Sequence, residues 1–354
     1  MYYFIFYIFI LFSLVCFSNR MHSVSFVLFL CFLFSALRFN VGYDYPVYYL
    51  TALGKLDKVF EFFPNILIFL SVKTHPQLFF VISSAIIIYF FWKSYILIDG
   101  YIKISRLGVV CFVFLPLGFL DSLGVIRQFI AISIFLYAFV INKRNAVLGN
   151  FWALVSVLFH FSSVIFIPLL WLSFLLKYKF SVFIYVSVLM LALLFGSGLV
   201  LFISYHTNFY YDYFSTQLSS NGVKVFAFFV IIFSYFLLNI KLIRSKEFAV
   251  ELFNIFFVGL CIYATVLPYG MHVARGAWNL FIFTPFLMGY ILYRKNIYEK
   301  ISFFVLASTL FYSALYFSEK NEIRDFYNDY KFYFFLDDKI RNDIMKSEYE
   351  KISE

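Results

Sequence analysis

Twelve apolar runs, at residues 2–17, 23–37, 76–98, 107–120, 125–141, 147–159, 163–176, 180–204, 223–243, 247–267, 276–293 and 301–317, follow one another with mostly short connections. Hydrocarbon offers no water to backbone N–H and C=O groups, so only helices and closed barrels can cross it. Runs of this length, without strict alternation, read as helices. The fold class expected is an all-α polytopic integral membrane protein with about 11–12 transmembrane helices. Charged residues make up 13% of the chain, about half the share of a soluble domain. The 354 residues therefore spell a dozen spans, not two or three soluble domains. Several runs are short for a full crossing and need tilt, local thinning or flanking residues. The apolar stretch 62–72 is too short to span and reads as re-entrant or interfacial.

Two parts are expected: a transmembrane unit over 1–317 and a charged, aromatic tail over 318–354, its first aromatics resting at the membrane interface. The start, Met1-Tyr2-Tyr3-Phe4, lacks the positive region of a cleaved signal peptide, so the first run reads as a retained helix. Cys16, Cys31, Cys111 and Cys261 stand in separate runs with no CxxC pair, which fits neither a metal site nor a disulfide framework. The net charge of +9 stands on no soluble module with a basic stripe, so nucleic acid is not an expected partner. Basic loops facing anionic lipid account for it. The 55 Phe and 29 Tyr are apolar bulk for a bilayer before they are a ligand cage.

Basic residues fall in alternate loops: Arg20, then Lys103 and Arg106, Lys143 and Arg144, Lys177 and Lys179, Lys241, Arg244 and Lys246, and Arg294, Lys295 and Lys300. With those loops cytoplasmic, the opposite, outward connections are 38–75, 121–124, the turn at His160, 205–222 and 268–275. Few positive charges lie there, and three are arginines at the ends of apolar runs: Arg38, Arg127 and Arg275. An arginine near hydrocarbon is costly. It is placed either to snorkel to lipid headgroups or to grip phosphate oxygens with a bidentate fork that lysine lacks.

On the same side stand Asp44, His160, His206, Asp212 and His272. Asp44, between Gly42 and Pro46, belongs to a bent connection. Its ordinary reading is a solvated or helix-capping carboxylate; its sharper reading is a proton acceptor. His160, between Phe159 and Phe161, is an interface histidine or a second proton acceptor. The chain has no HExxH, DxD, GxSxG or Walker loop, so no metal or nucleotide site is expected.

Arg38-Phe39-Asn40-Val41-Gly42-Tyr43-Asp44-Tyr45-Pro46-Val47-Tyr48 resembles the RxxxGxDYxxY signature of the EpsG family of Wzy-type polysaccharide polymerases. Arg127-Gln128-Phe129-Ile130-Ala131 resembles that family's RQxxA, and Phe159-His160-Phe161-Ser162-Ser163 its FHxSA, with Ser163 in place of alanine. The resemblance covers residues 23–171; Arg275 corresponds to a further family arginine, without the expected neighbouring tyrosine. It implies a metal-independent, cofactor-free enzyme of the bacterial inner membrane. Such an enzyme joins undecaprenyl-diphosphate-linked oligosaccharide repeat units into O-antigen or exopolysaccharide at the outer face, with membrane lipid around it and a chain-length regulator as partner. On that reading Arg38, Arg127 and Arg275 bind the donor diphosphate. Asp44 or His160 is the catalytic base, and Tyr45, Tyr48 and Gln128 meet the sugar, the tyrosines having interfacial anchoring as their other explanation. A flippase for the same lipid-linked sugar, also polytopic and basic, and an O-antigen ligase, which shares substrate and mechanism type, are the competing functions.

Overall fold

A computed structural model describes residues 2–116, 118–207, 222–270, 275–320 and 330–353. Helices dominate, as the apolar runs require. In chain order the first are α1 (Tyr2–Cys16), α2 (Arg20–Ala36), α3 (Tyr45–Ala52), α4 (Phe62–Lys73), α5 (Gln77–Tyr101), α6 (Leu107–Phe114), α7 (Phe119–Gly124), α8 (Ile126–Asn142) and α9 (Ala146–Phe159). Later come Val182–Thr207, Val223–Leu238, Glu247–Val266, Thr284–Arg294, Ile297–Lys320 and a terminal helix, Asp338–Ser353. Four segments, Gln77–Tyr101, Val182–His206, Glu247–Val266 and Arg275–Arg294, are long and apolar enough to cross a membrane, and several shorter apolar helices accompany them. The protein is all-α and polytopic.

Burial sorts these helices. α8 is apolar beyond its first turn and buried nearly all round, packed between α5 and α9, as a helix with so little polar surface must be. Val182–Thr207 is equally apolar but exposes most of its surface and leans on Glu247–Val266. Because lipid is as apolar as leucine, helices in a bilayer associate through close backbone approach. Gly289 shows this: the Ser105 N–H donates to its carbonyl at 2.9 Å, and a Cβ there would stand 2.3 Å from Ile104 Cγ2 and 2.9 Å from Gly108 Cα.

Several expected spans are broken. The run 107–120 splits into α6 and α7, and the run 163–176 becomes two 3₁₀ turns, Phe161–Phe166 and Leu175–Lys177, around a short helix, Ile167–Trp171. The run 276–293 interrupts at Ile282–Phe283 before Pro285 restarts it. In contrast, α4 behaves as its length demands. Glu61 at its start reaches Arg127 and His160, and His75 just past its end lies 2.9 Å from Tyr333 Oη, beside the 38–49 segment. Both ends share one side of the bundle, so α4 does not cross it.

The alternate basic loops also converge. Arg20 bonds Asp99 at 2.5 Å, Arg106 donates to the Leu14 and Phe17 carbonyls at 2.7 and 3.0 Å, and Arg144 lies over Tyr101. Lys143 pairs with Glu251 at 2.5 Å and Lys177 with Glu247 at 2.6 Å. Tyr101 stacks on Phe248, and Ser245 meets Tyr290. These contacts tie the basic connections into one end of the bundle, opposite the 38–75 segment.

The tail is docked. Lys331–Phe332 pairs antiparallel with Arg38–Phe39, Arg38 facing Phe332. The Tyr330 hydroxyl donates to the Phe34 carbonyl at 2.5 Å and its ring stacks on Phe34 at 3.8 Å. The Tyr333 N–H reaches the Leu37 carbonyl at 2.8 Å, and Arg341 lies over the Tyr333 ring. Tyr330 and Tyr333 are thus buried in protein where anchoring at the membrane surface was expected; Phe334 and Phe335 remain exposed. The helix Asp338–Ser353 packs on α3. Tyr330→Ala removes a buried ring and its hydrogen bond. It is expected to cost on the order of 3 kcal/mol and to lower the thermal midpoint of the detergent-purified protein.

Candidate functional site

The segment after α2 is built by one arginine and one glycine. Arg38 is 1% exposed. Its Nε donates to the Val41 carbonyl at 3.1 Å, Nη2 to the Leu123 carbonyl at 3.3 Å, and Nη1 to both the carbonyl and the hydroxyl of Ser35. The rings of Phe80 and Tyr45 flank the cation at 5.2 and 5.9 Å. Gly42 has φ +96°, and a Cβ would meet the Leu123 carbonyl oxygen at 2.0 Å; only glycine offers both the conformation and the space. The Asp44 N–H then donates to the Gly124 carbonyl at 3.1 Å. Arg38 and Gly42 together clip this segment onto the α7–α8 junction, three residues before Arg127.

That placement revises several expectations. Arg38, expected at the diphosphate, is fully buried and committed to protein oxygens. Tyr45 and Tyr48, expected to meet sugar, are 0% and 1% exposed. Tyr45 stacks on Phe80 at 4.0 Å and donates to Gln77 Oε1 at 2.8 Å; the other end of that amide holds the Ala36 and Arg38 carbonyls. Tyr48 stacks on Phe79 at 4.5 Å. Neither ring presents a face to a sugar. Gln128 is buried as well, and its Nε2 donates to the Arg275 carbonyl at 2.7 Å. Burial follows from α3 and α8 packing inward, which no residue spacing announces.

What reaches the open side is a different set. Arg127 Nε donates to Tyr48 Oη at 2.5 Å and Nη1 pairs with Glu61, while the guanidinium lies 4.9 Å over Phe60. Its Nη2 makes no hydrogen bond among the described residues. The other oxygen of Glu61, Oε1, lies 3.0 Å from His160 Nδ1. Asn65 fixes the approach: it accepts from the Phe60 N–H and donates to the Phe60 carbonyl at 2.9 and 2.7 Å. Phe63 on Phe159, at 5.0 Å, joins α4 to α9 beside it. Gln128 ties the Arg275 backbone to α8, one residue along from Arg127. Arg275 lies 5.6 Å over Trp278, and its Nε is buried without a hydrogen-bond partner among the described residues.

Asp44 takes the N-cap position of α3 yet makes no side-chain capping bond. Burial pushes its carboxyl up to about 6, against the pull of Arg127, Arg275, Lys58 and His160. That pull places all four positive or proton-binding groups within electrostatic reach of one carboxylate. Glu61 goes the other way. Burial raises it, but the His160 hydrogen bond, the Arg127 charge and its own backbone N–H outweigh that and hold it at about 2. Both carboxylates lie in the connection 38–75.

Asp44, Arg127, His160 and Arg275, spread over more than two hundred residues, therefore share one site. Residues 21–332 match the EpsG family over most of the chain's length. The chain belongs to the EpsG family. No curated protein and no solved structure matches it significantly. EpsG membership carries a polysaccharide-polymerase type of function, and the match runs past residue 317 into the docked tail. The motif residues divide by burial: Arg38, Gly42 and Tyr45 are buried in the scaffold, whereas Asp44, Arg127 and His160 are only partly covered. Of the other residues expected on the outward side, His206 ends the helix Val182–Thr207 with Nδ1 2.9 Å from its own helix's Phe202 carbonyl. Asp212 and His272 lie outside the described residues. Glu61 was missed by sequence reading, which weighed the positive charges and Asp44 in the 38–75 connection and passed over Glu61. Its partners stand 66 and 99 residues away; the one available signal was the scarcity of acidic residues before the tail.

Proposed function

We propose that this EpsG protein polymerises lipid-linked oligosaccharide repeat units, moving the growing chain from a polyprenyl-diphosphate carrier onto a hydroxyl of the next lipid-linked unit. The observation carrying the proposal is the gathering of Arg127, Arg275, Asp44 and His160 at one end of the bundle. The convergence of basic loops at the opposite end supports an outward-facing site under the positive-inside rule.

The transfer breaks the bond between the anomeric carbon and the diphosphate oxygen and forms one to the acceptor oxygen. Negative charge grows on the leaving diphosphate, and the acceptor hydroxyl loses its proton. Arg127 Nη2 and Arg275 supply preorganised positive charge for the diphosphate; such groups count most where water is scarce. Arg38, committed to carbonyls, instead holds the loop that carries Asp44. A base within reach of the acceptor supplies the proton step, typically worth about 10²–10⁴-fold. Asp44 and His160 are the two groups placed for it, and the one that is not the base orients a sugar hydroxyl. Buried Tyr45, Tyr48 and Gln128 serve by position: Tyr48 and Gln128 hold Arg127 and Arg275.

The test uses protein reconstituted in vesicles with lipid-linked repeat units extracted from cells lacking this gene. A ladder of longer products and released polyprenyl diphosphate is expected. With Asp44 held near 6 and required as a carboxylate, the rate falls as pH drops through about 6. In Asp44→Asn the rate is low at every pH. A wild-type protein yielding no product longer than one unit overturns the proposal.

A further inference from the structure

Resting on that reading, we infer that Glu61 is a positioning residue that makes His160 the base: its carboxylate holds the imidazole through Nδ1 and leaves Nε2 to take the acceptor proton. The argument begins with donor chemistry. An ionised carboxylate has no hydrogen to give, and Glu61 stays ionised because Arg127 and His160 both bear on it. The 3.0 Å contact with His160 Nδ1 therefore carries the imidazole's hydrogen, and in the neutral ring the second nitrogen, Nε2, is the bare one. A histidine's free nitrogen is set by the bond its other nitrogen makes.

Three features make the contact a built one. Glu61 precedes α4 with its side chain off the helix start, making no capping bond. Asn65 clamps the Phe60 backbone immediately before it. His160 sits where α9 stops, in extended conformation with φ −157°. Its backbone N–H bonds the Ser156 carbonyl at 3.1 Å, and its carbonyl accepts from the Ser163 N–H at 3.1 Å, so the ring leaves the helix end at a determined angle. Glu61 also divides its oxygens: Oε2 goes to Arg127 and Oε1 to His160. One carboxylate thus sets the spacing between the proposed diphosphate ligand and the proposed base. During transfer the acceptor proton passes to Nε2, the imidazolium is steadied by Glu61, and the proton leaves to water on the open side, where the His160 side chain is 26% exposed.

The experiment compares Glu61→Gln, His160→Ala and the double variant in the reconstituted assay with extracted lipid-linked repeat units. Glu61→Gln keeps the shape and removes the charge. It is expected to lower kcat roughly 10²-fold while donor KM stays within about twofold. The double variant is expected to be no slower than His160→Ala alone, since a residue acting through another adds nothing once that other is gone. Multiplying losses, or a Glu61→Gln effect confined to donor KM, overturn the inference and make Glu61 an anchor for Arg127 only. Should Glu61→Gln fail to accumulate in the membrane, Glu61→Asp takes its place under the same criteria. Full activity of Glu61→Gln beside inactive Arg127→Ala and His160→Ala sinks this inference alone. An active His160→Ala overturns the inference as well, whereas wild-type protein yielding no product longer than one unit sinks the underlying function.

Discussion

Cells whose only copy of the protein carries Arg127→Ala are expected to display single repeat units and no long polysaccharide, with the protein at normal level in the membrane. Arg127 has one guanidinium nitrogen on Tyr48, one on Glu61 and one without a protein hydrogen-bond partner among the described residues. Removing such a preorganised positive group from a developing anionic oxygen typically costs about 10²–10³-fold in rate. Arg127→Lys is expected to fail nearly as badly. A lysine has one point of charge and cannot serve Tyr48, Glu61 and a phosphate with a planar fork. The measurement is the length distribution of surface polysaccharide on a gel, normalised to membrane protein. Long chains from a stably inserted Arg127→Ala protein would remove this arginine from the chemistry. The loss is expected to appear in assembled, correctly folded protein, because Arg127 and Glu61 are both partly exposed.

Arg38→Ala should fail in a different way. Its guanidinium is the internal partner of the Ser35, Val41 and Leu123 carbonyls. Deleting it leaves those buried acceptors unpaired, and breaking buried charged contacts of this kind costs on the order of 3–5 kcal/mol. The expected result is little protein in the membrane and a sharply lowered thermal midpoint, not a folded but inactive enzyme. Folded Arg38→Ala protein with an unchanged midpoint and no activity would return Arg38 to the substrate. The contrast between the two arginines, each of which opens or closes an apolar run, is readable only from their surroundings.

Local patterns in the chain carried much of the fold. Apolar runs announced the helices, and the basic connections that alternate along the chain gather together in the structure. Breaks inside runs were harder to read, because Pro116, Pro168 and Pro285 bend a span without making it less apolar. The gathering of Asp44, Arg127 and His160 was legible through three motifs whose order matched a family pattern. Glu61 was not, because a lone carboxylate preceding a short helix has no periodicity to mark it.

By itself, the amino-acid sequence determined that this protein is helical and membrane-embedded. Hydrocarbon forbids unpaired backbone, and no soluble core accepts so many apolar runs. It also determined which polar residues were costly enough to need a reason. Only the tertiary structure decided what each reason is. Arg38 and Arg127 occupy equivalent places at the ends of runs, yet one is sealed beneath the 38–49 segment by Phe80, Tyr45 and the docked tail. The other opens beside Glu61 and His160. The difference lies in packing between segments remote in the chain: whether a guanidinium meets carbonyls or open space depends on which elements cover it.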